Sequence, residues 1–134
     1  MKQLITILFF LPLLGFAQSD SLGMEAGTRL RTPDENRAIA KMKIDSLRLR
    51  VIKGESMALL AGMYSEDPGS ASNGGKYSKV VKGMMVPEFE EAAFKLQPGQ
   101  ISEVFETQYG FHFIQLISRF GDQLELRHIL IIPR

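Results

Sequence analysis

The chain closes on Glu-Leu-Arg-His-Ile-Leu-Ile-Ile-Pro-Arg, and the Leu126–Ile132 stretch is almost wholly apolar. A strand of that kind must be paired on its edges and covered on its faces. A second apolar run, Phe111 to Ser118, lies just upstream, separated by Arg119, Phe120 and Gly121. A three-residue hairpin loop favours glycine in its third, left-handed position, where Gly121 stands. With that loop Ser118 faces Asp122, Leu116 faces Leu124, and His112 falls directly opposite His128. The chain's two histidines then become cross-strand neighbours, with Cβ atoms roughly 5 Å apart. A loop one residue longer or shorter would send them to opposite faces.

Each histidine by itself reads as a satisfied core residue, whereas a facing pair in apolar surroundings points to a shared proton network. A metal site is the weaker use, because neither Cys nor a neighbouring carboxylate accompanies the pair on that face. We expect no metal and no cofactor.

The rest of the chain supplies the cover. Thr32-Pro33-Asp34-Glu35 starts a helix: Thr32 caps it, Pro33 suits its first position and Glu35 completes a capping box. Ala40, Ile44, Leu47 and Val51 form one buried stripe, the Arg and Lys residues between them a solvated face, and Gly54 ends the helix. A short second helix carries Met57, Leu60, Ala61 and Tyr64 on one side. Ser65 to Gly75 reads as a surface loop; Gly75 stands where a phosphate-binding loop needs Lys. Pro87 to Phe94 is a third helix, Pro98-Gly99 a turn, and Ile101 to Thr107 a further strand. The plan is helices first, then a small antiparallel sheet: an α+β domain.

The N-terminus is set apart from this fold. Lys2, the apolar run Leu4 to Phe16 and the small residues before Gln18 form a signal peptide over residues 1–17, too short for the roughly 20 apolar residues of a membrane span. The protein is expected to be exported to the periplasm or cell envelope, with no stable membrane insertion after cleavage. Residues 18–31 read as a leader, 32–119 as the domain and 120–134 as the terminal hairpin strand. Without Lys2 the chain holds 15 basic residues against 15 acidic, which excludes a nucleic-acid partner that works by neutralising phosphates. With no cysteine there is neither a disulfide nor a thiol nucleophile.

From about Asp34 to Arg119 the chain resembles the parvulin-type peptidyl-prolyl isomerases, or rotamases, particularly the exported folding factors. The resemblance is carried by YSEDPGSASNGGKYSKVVKGMMVPEFEEAAFKLQPGQISEVFETQYGFHFIQL. Family members open on a strand like RHIL, whose histidine meets a second histidine from a strand like YGFHFI. Here RHIL stands at Arg127 to Leu130, after the domain. Either the terminal strand fills the place of the leading one in a permuted sheet, or it opens a further repeat.

The resemblance implies isomerisation of X-Pro bonds in unfolded or extended exported polypeptides, without a cofactor. It implies that Met85 and Phe89 line the socket for the proline ring, with Phe111 as a further wall and Tyr77 and Tyr109 beside it. Thr107 and His112 belong to a polar network, joined by His128 if the hairpin forms. Asp67 stands where some members carry Cys, which favours an electrostatic role over a covalent one. Lys76, Tyr77 and Ser78 depart from the family's GGDLG-like motif. A non-catalytic peptide-binding domain, and a fragment without independent function, remain as alternatives.

Overall fold

A computed structural model describes residues 29–134; the expected signal peptide and most of the expected leader lie outside the described residues. Thr32–Arg134 forms one compact unit. Among the described residues no helix is long and apolar enough to cross a membrane.

Helix α1 (Pro33–Ile52) begins as its capping box dictates. Thr32 Oγ1 accepts the Glu35 N–H at 3.2 Å, and Glu35 Oε2 accepts the Thr32 N–H at 2.8 Å. Its buried residues are Ala40, Ile44, Leu47 and Val51, the stripe that periodicity marks out. Helix α2 (Met57–Tyr64) is capped by Ser56, whose side chain accepts the Leu59 N–H. Helix α3 (Pro87–Phe94) starts on its proline.

Four strands form one sheet in the order β1-β4-β3-β2: β1 (Lys76–Val80), β2 (Phe105–Thr107), β3 (Gly110–Phe120) and β4 (Gln123–Ile131). All three pairings are antiparallel. The helices-first plan therefore needs correcting, since β1 lies between α2 and α3. Its sequence KYSKV is mostly polar and shows no clean alternation, as befits an edge strand with one fully buried residue, Val80. The strand expected over Ile101 to Thr107 is also shorter, reduced to β2 and an isolated bridge from Ile101 to Gln115.

The hairpin forms, but in a different register. Phe120 pairs with Gln123, so Gly121 and Asp122 alone make the turn, with Gly121 at φ +61°. Carried along the ladder, that pairing would place the two histidines on opposite faces, because its offset is odd. A bulge between Leu116 and Ser118 adds one residue to β3 and restores the face. His112 consequently pairs with Leu130, and His128 with Ile114. The histidines are diagonal neighbours on one face rather than directly opposite, which corrects the expected register by two residues.

Both faces of the sheet are covered. Phe111, Phe113, Ile129 and Ile131 pack with the buried stripe of α1 and with Met57, Leu60 and Ala61 of α2. On the other face Ile114, Leu116, Leu124 and Leu126 pack with Val80 and with Phe89, Ala92 and Ala93 of α3. Arg119 ties the far end of the hairpin to α3 by donating to the carbonyls of Phe94 and Leu96.

Strand β4 is thus interior, and its side chains carry core energy whereas the hairpin tip carries none. Leu126 is fully buried and Phe120 is 85% exposed. Leu126→Ala should lower the unfolding free energy by about 2–5 kcal/mol, whereas Phe120→Ser should stay within about 0.5 kcal/mol. Urea denaturation of both variants checks this, and equal effects would show that β4 is not integral to the domain.

Candidate active site

The α3-side face of the sheet carries a cavity of about 460 Å³, lined among others by Asp67, Tyr77, Met84, Met85, Phe89, Tyr109, His112, His128 and Leu130. Its apolar wall comes from α3 and the segment before it. Its floor is the pair of imidazoles.

The loop between α2 and β1 is held against β4 where β1 no longer pairs with it. Glu66 N–H donates to Leu130 O at 2.8 Å, Leu130 N–H donates to Ser65 Oγ at 3.2 Å, and Ile132 N–H donates to Glu66 Oε1 at 2.8 Å. Asp67 then turns the chain, its Oδ1 accepting the Gly69 N–H at 3.1 Å. Ser70 is fully buried, so the segment is not simply the surface loop expected from its small polar residues. The loop ends on Gly75 at φ +75°, whose carbonyl accepts the His128 N–H at 2.9 Å. A Cβ there would lie 2.3 Å from His128 O, so only glycine lets the loop approach the histidine strand.

The polar groups beneath the cavity form one chain of contacts. Asp67 Oδ2 stands 2.7 Å from His128 Nε2, His128 Nδ1 stands 3.4 Å from His112 Nδ1, and His112 Nε2 stands 2.7 Å from Thr107 Oγ1. One assignment of donors and acceptors satisfies both ends. Tyr109 N–H donates to Thr107 Oγ1 at 3.1 Å, leaving the threonine proton for His112 Nε2. His112 then carries its own proton on Nδ1 and gives it to His128 Nδ1, and His128 Nε2–H donates to the Asp67 carboxylate. This assignment gives every ring nitrogen of the two imidazoles a partner.

Asp67 is held well below the usual carboxylate range, first by the hydrogen bond from His128 and then by those from Ser70, Tyr77 and Gly69, against the opposing effect of burial. Burial pushes the Tyr77 phenol up to about 12, with its bond to Asp67 adding to the shift. Burial also pulls the His112 imidazole down to about 4, assisted by repulsion from His128. The rings are clamped as well. His112 stacks on Phe105 with centroids 5.2 Å apart and lies 5.6 Å from His128 in a near-parallel stack. Phe89 meets both histidines edge-on.

Of the residues singled out from the sequence, Asp67, Tyr77, Met85, Phe89, Tyr109, His112 and His128 line the cavity, and Thr107 lies buried behind His112. Phe111 does not belong with them. Alternation puts it on the opposite face, in the α1 core with the Arg37 guanidinium over its ring, so its role as a cavity wall is corrected. Sequence reasoning missed Ser70 and Phe105. Phe105 stands two residues before Thr107, and period-two alternation along β2 would have put both on one face; nothing in SASNGG marks Ser70. Among the described residues no group of three or more His, Asp or Glu is placed to hold a metal ion.

Residues 27–118 match the model of the rotamase family, the PPIC-type PPIase domain, and the chain belongs to that family. It is 42% identical over 79 residues to the chaperone SurA of Nitrosococcus oceani, covering 59% of this chain and 18% of that protein. It is 45% identical over 75 residues to the foldase protein PrsA of Geobacillus sp. (strain WCH70), covering 56% and 27%. Among solved structures it is similar to the peptidylprolyl isomerase PrsA of Bacillus cereus, at TM-score 0.57 and 42% identity over 60% of this chain and 31% of the other. The chain spans less than a third of the length of each of these relatives.

A pH prediction follows from the buried imidazole. His112 titrates at about 4 in the fold against 6.5 when free, so between those values the unfolded chain binds more protons. Its contribution to stability is complete above pH 6.5 and is lost as the pH falls toward 4, with a slope approaching about 1.4 kcal/mol per pH unit. Asp67 adds a separate loss only below its ordinary value of 3.8. Denaturant melts from pH 7 to 4 check this, and His112→Gln should flatten the slope in that window.

Proposed function

We propose that this chain is a peptidyl-prolyl cis/trans isomerase that assists the folding of exported proteins, acting on X-Pro bonds without a covalent intermediate. One observation carries the reading: an apolar cavity closed at its base by polar groups that satisfy one another.

Rotation about an X-Pro amide requires loss of resonance across the C–N bond, a barrier of about 18–20 kcal/mol. The planar amide is more dipolar than the twisted one, so water around its carbonyl favours the ground state. A socket formed by Met85, Phe89 and Leu130 grips the ring and strips that water, which favours the twisted form. The floor must then remain rigid and offer no competing partner. Both ring nitrogens of both histidines are occupied within the network, so the substrate meets ring edges rather than a base. Asp67 supplies a fixed negative potential through His128 instead of attacking the carbonyl. The signal-like residues 1–17 and relatives named foldase and chaperone support action on exported polypeptides in the periplasm or cell envelope.

Exchange NMR on a short unstructured X-Pro peptide tests the activity, with acceleration by the folded domain as the expected result. Phe89→Leu keeps apolar bulk but loses the edge-on contacts, and should slow exchange on the order of tenfold, about 1.4 kcal/mol of transition-state binding. A folded protein that binds the peptide without accelerating exchange would be a peptide-binding module instead.

No acidic residue should be required before proline, and acidic side chains there should be disfavoured. Glu66 and Asp67 line the cavity, while Lys76 of β1 is paired with Glu125 at 2.5 Å. Phosphate recognition would need an arginine cluster there. In a series of peptides differing only at that residue, Glu and phosphoserine should give the lowest kcat/KM; a preference for them would overturn the reading.

A further inference from the structure

Three donors converge on a single oxygen of Asp67. His128 Nε2 stands at 2.7 Å, Ser70 Oγ at 2.6 Å and Tyr77 Oη at 2.7 Å from Oδ2. Two of these come from Asp67's own loop and from the histidine strand. The third comes from β1, from a position where the motif resemblance leads one to expect an apolar side chain without a donor.

The phenol also shapes the loop around it. Gly69 adopts an ordinary backbone conformation, outside the left-handed region, so its φ does not explain the glycine. Space does. A Cβ at Gly69 would lie 2.6 Å from Tyr77 Oη, while its next neighbours are Asp67 Oδ1 at 3.4 Å and Tyr77 Cζ at 3.8 Å. The hydroxyl oxygen is therefore the one severe obstacle to a side chain there.

The ring meanwhile does other work. It packs on His128 with centroids 5.4 Å apart and lines the cavity. Ring and hydroxyl have separable consequences: the ring walls the cavity, and the hydroxyl reaches behind it to the carboxylate.

We propose that the Tyr77 hydroxyl is a positioning group for the prolyl site, a latch from β1 that holds Asp67 on His128, and that Gly69 is glycine to leave room for it. This deepens the functional reading above and rests on it for its catalytic consequence, though not for its structural one. With the latch in place the Asp67 carboxylate has one orientation, His128 keeps its proton on Nε2, and His112 keeps its own on Nδ1. Without it Asp67 retains His128, Ser70 and Gly69 as donors but loses the only one contributed by β1.

A double-mutant cycle on the full chain tests this with Tyr77→Phe, Gly69→Ala and their combination. Tyr77→Phe keeps the ring and should reduce kcat about tenfold, the usual scale for one hydrogen bond to a charged group, with KM within about twofold. Gly69→Ala should impair the site at least as much in the native background, because Cβ displaces the hydroxyl. In the Tyr77→Phe background it should add almost nothing. Long-range proton–nitrogen NMR of the imidazoles gives a readout independent of catalysis. Native His128 should report a single Nε2–H tautomer, and both single variants a mixture. Additive effects of the two substitutions, or unchanged tautomers and kcat in Tyr77→Phe, would overturn the latch. Altered tautomers in a protein that never accelerates exchange would uphold the latch while sinking the isomerase reading. If Gly69→Ala fails to melt cooperatively, its rescue by Tyr77→Phe in a thermal melt decides the same question, and no rescue counts against the proposal.

Discussion

Strand β4 is hydrogen-bonded on both sides, to β3 over nearly its whole length and to β1 near its start. Side chains alternate along a strand, so a single choice of register assigns every residue of β4 either to the α1–α2 core or to the cavity. The hairpin turn by itself makes the wrong choice, since its two-residue loop sets an odd offset. One bulged residue in β3 reverses it. His112, Ile114 and Leu116 then share a face with Leu124, Leu126 and His128, and the cavity floor exists because of that count. The energetic pressure behind it is strong. Slipping β4 by one residue against β3 would turn Leu124 and Leu126 toward α1 while sending Ile129 and Ile131 to the other side, disturbing both cores at once.

What could be read from the residues divides along the range of the interactions involved. The capping box at Thr32, the stripe Ala40–Ile44–Leu47–Val51 and the proline start of α3 are set by contacts within a turn or two, and the fold realises each of them. The hairpin was legible as a pairing because two apolar runs flank a glycine. Its register was not, because a bulge has no side-chain signature of its own and a three-residue loop without a bulge gives the same parity as a two-residue loop with one. The histidines therefore land on one face under either construction, while their exact partners differ. Phe111 shows the reverse error: motif resemblance suggested a cavity wall, and simple alternation from His112 would have excluded it. Strand β1 escaped notice because an edge strand has little to bury, and Ser70 because its partners Asp67 and His128 lie on separate elements.

The site also shows how a polar cluster can lie beneath an apolar socket without destabilising it. Buried donors and acceptors are costly when left alone, and an ionised carboxylate more so. Here Asp67 receives four hydrogen bonds, and each imidazole nitrogen has a partner. The only buried side-chain oxygen without a partner among the described residues is Asn36 Oδ1, on α1 and away from the cavity lining. A network satisfied in this way needs no ligand to complete it and has little reason to rearrange when one arrives. That suits a reaction in which no proton or bond is exchanged and the protein must only prefer one shape of the amide over two others.

The polar chain beneath the cavity reaches past the segment that the family model matches. The stretch matched by the family model ends at Ser118, and it holds Asp67, Thr107 and His112. His128 lies beyond it, on β4. Without β4, His112 Nδ1 would lose its acceptor, Asp67 would lose the donor that most strongly holds its charge, and the loop carrying Asp67 would lose its anchors at Leu130 and Ile132. Phe89 would face an open gap where His128 now meets its ring. The terminal strand therefore belongs to the site as fully as the segment that defines the family, because the polar chain runs through it from one end of the cavity floor to the other.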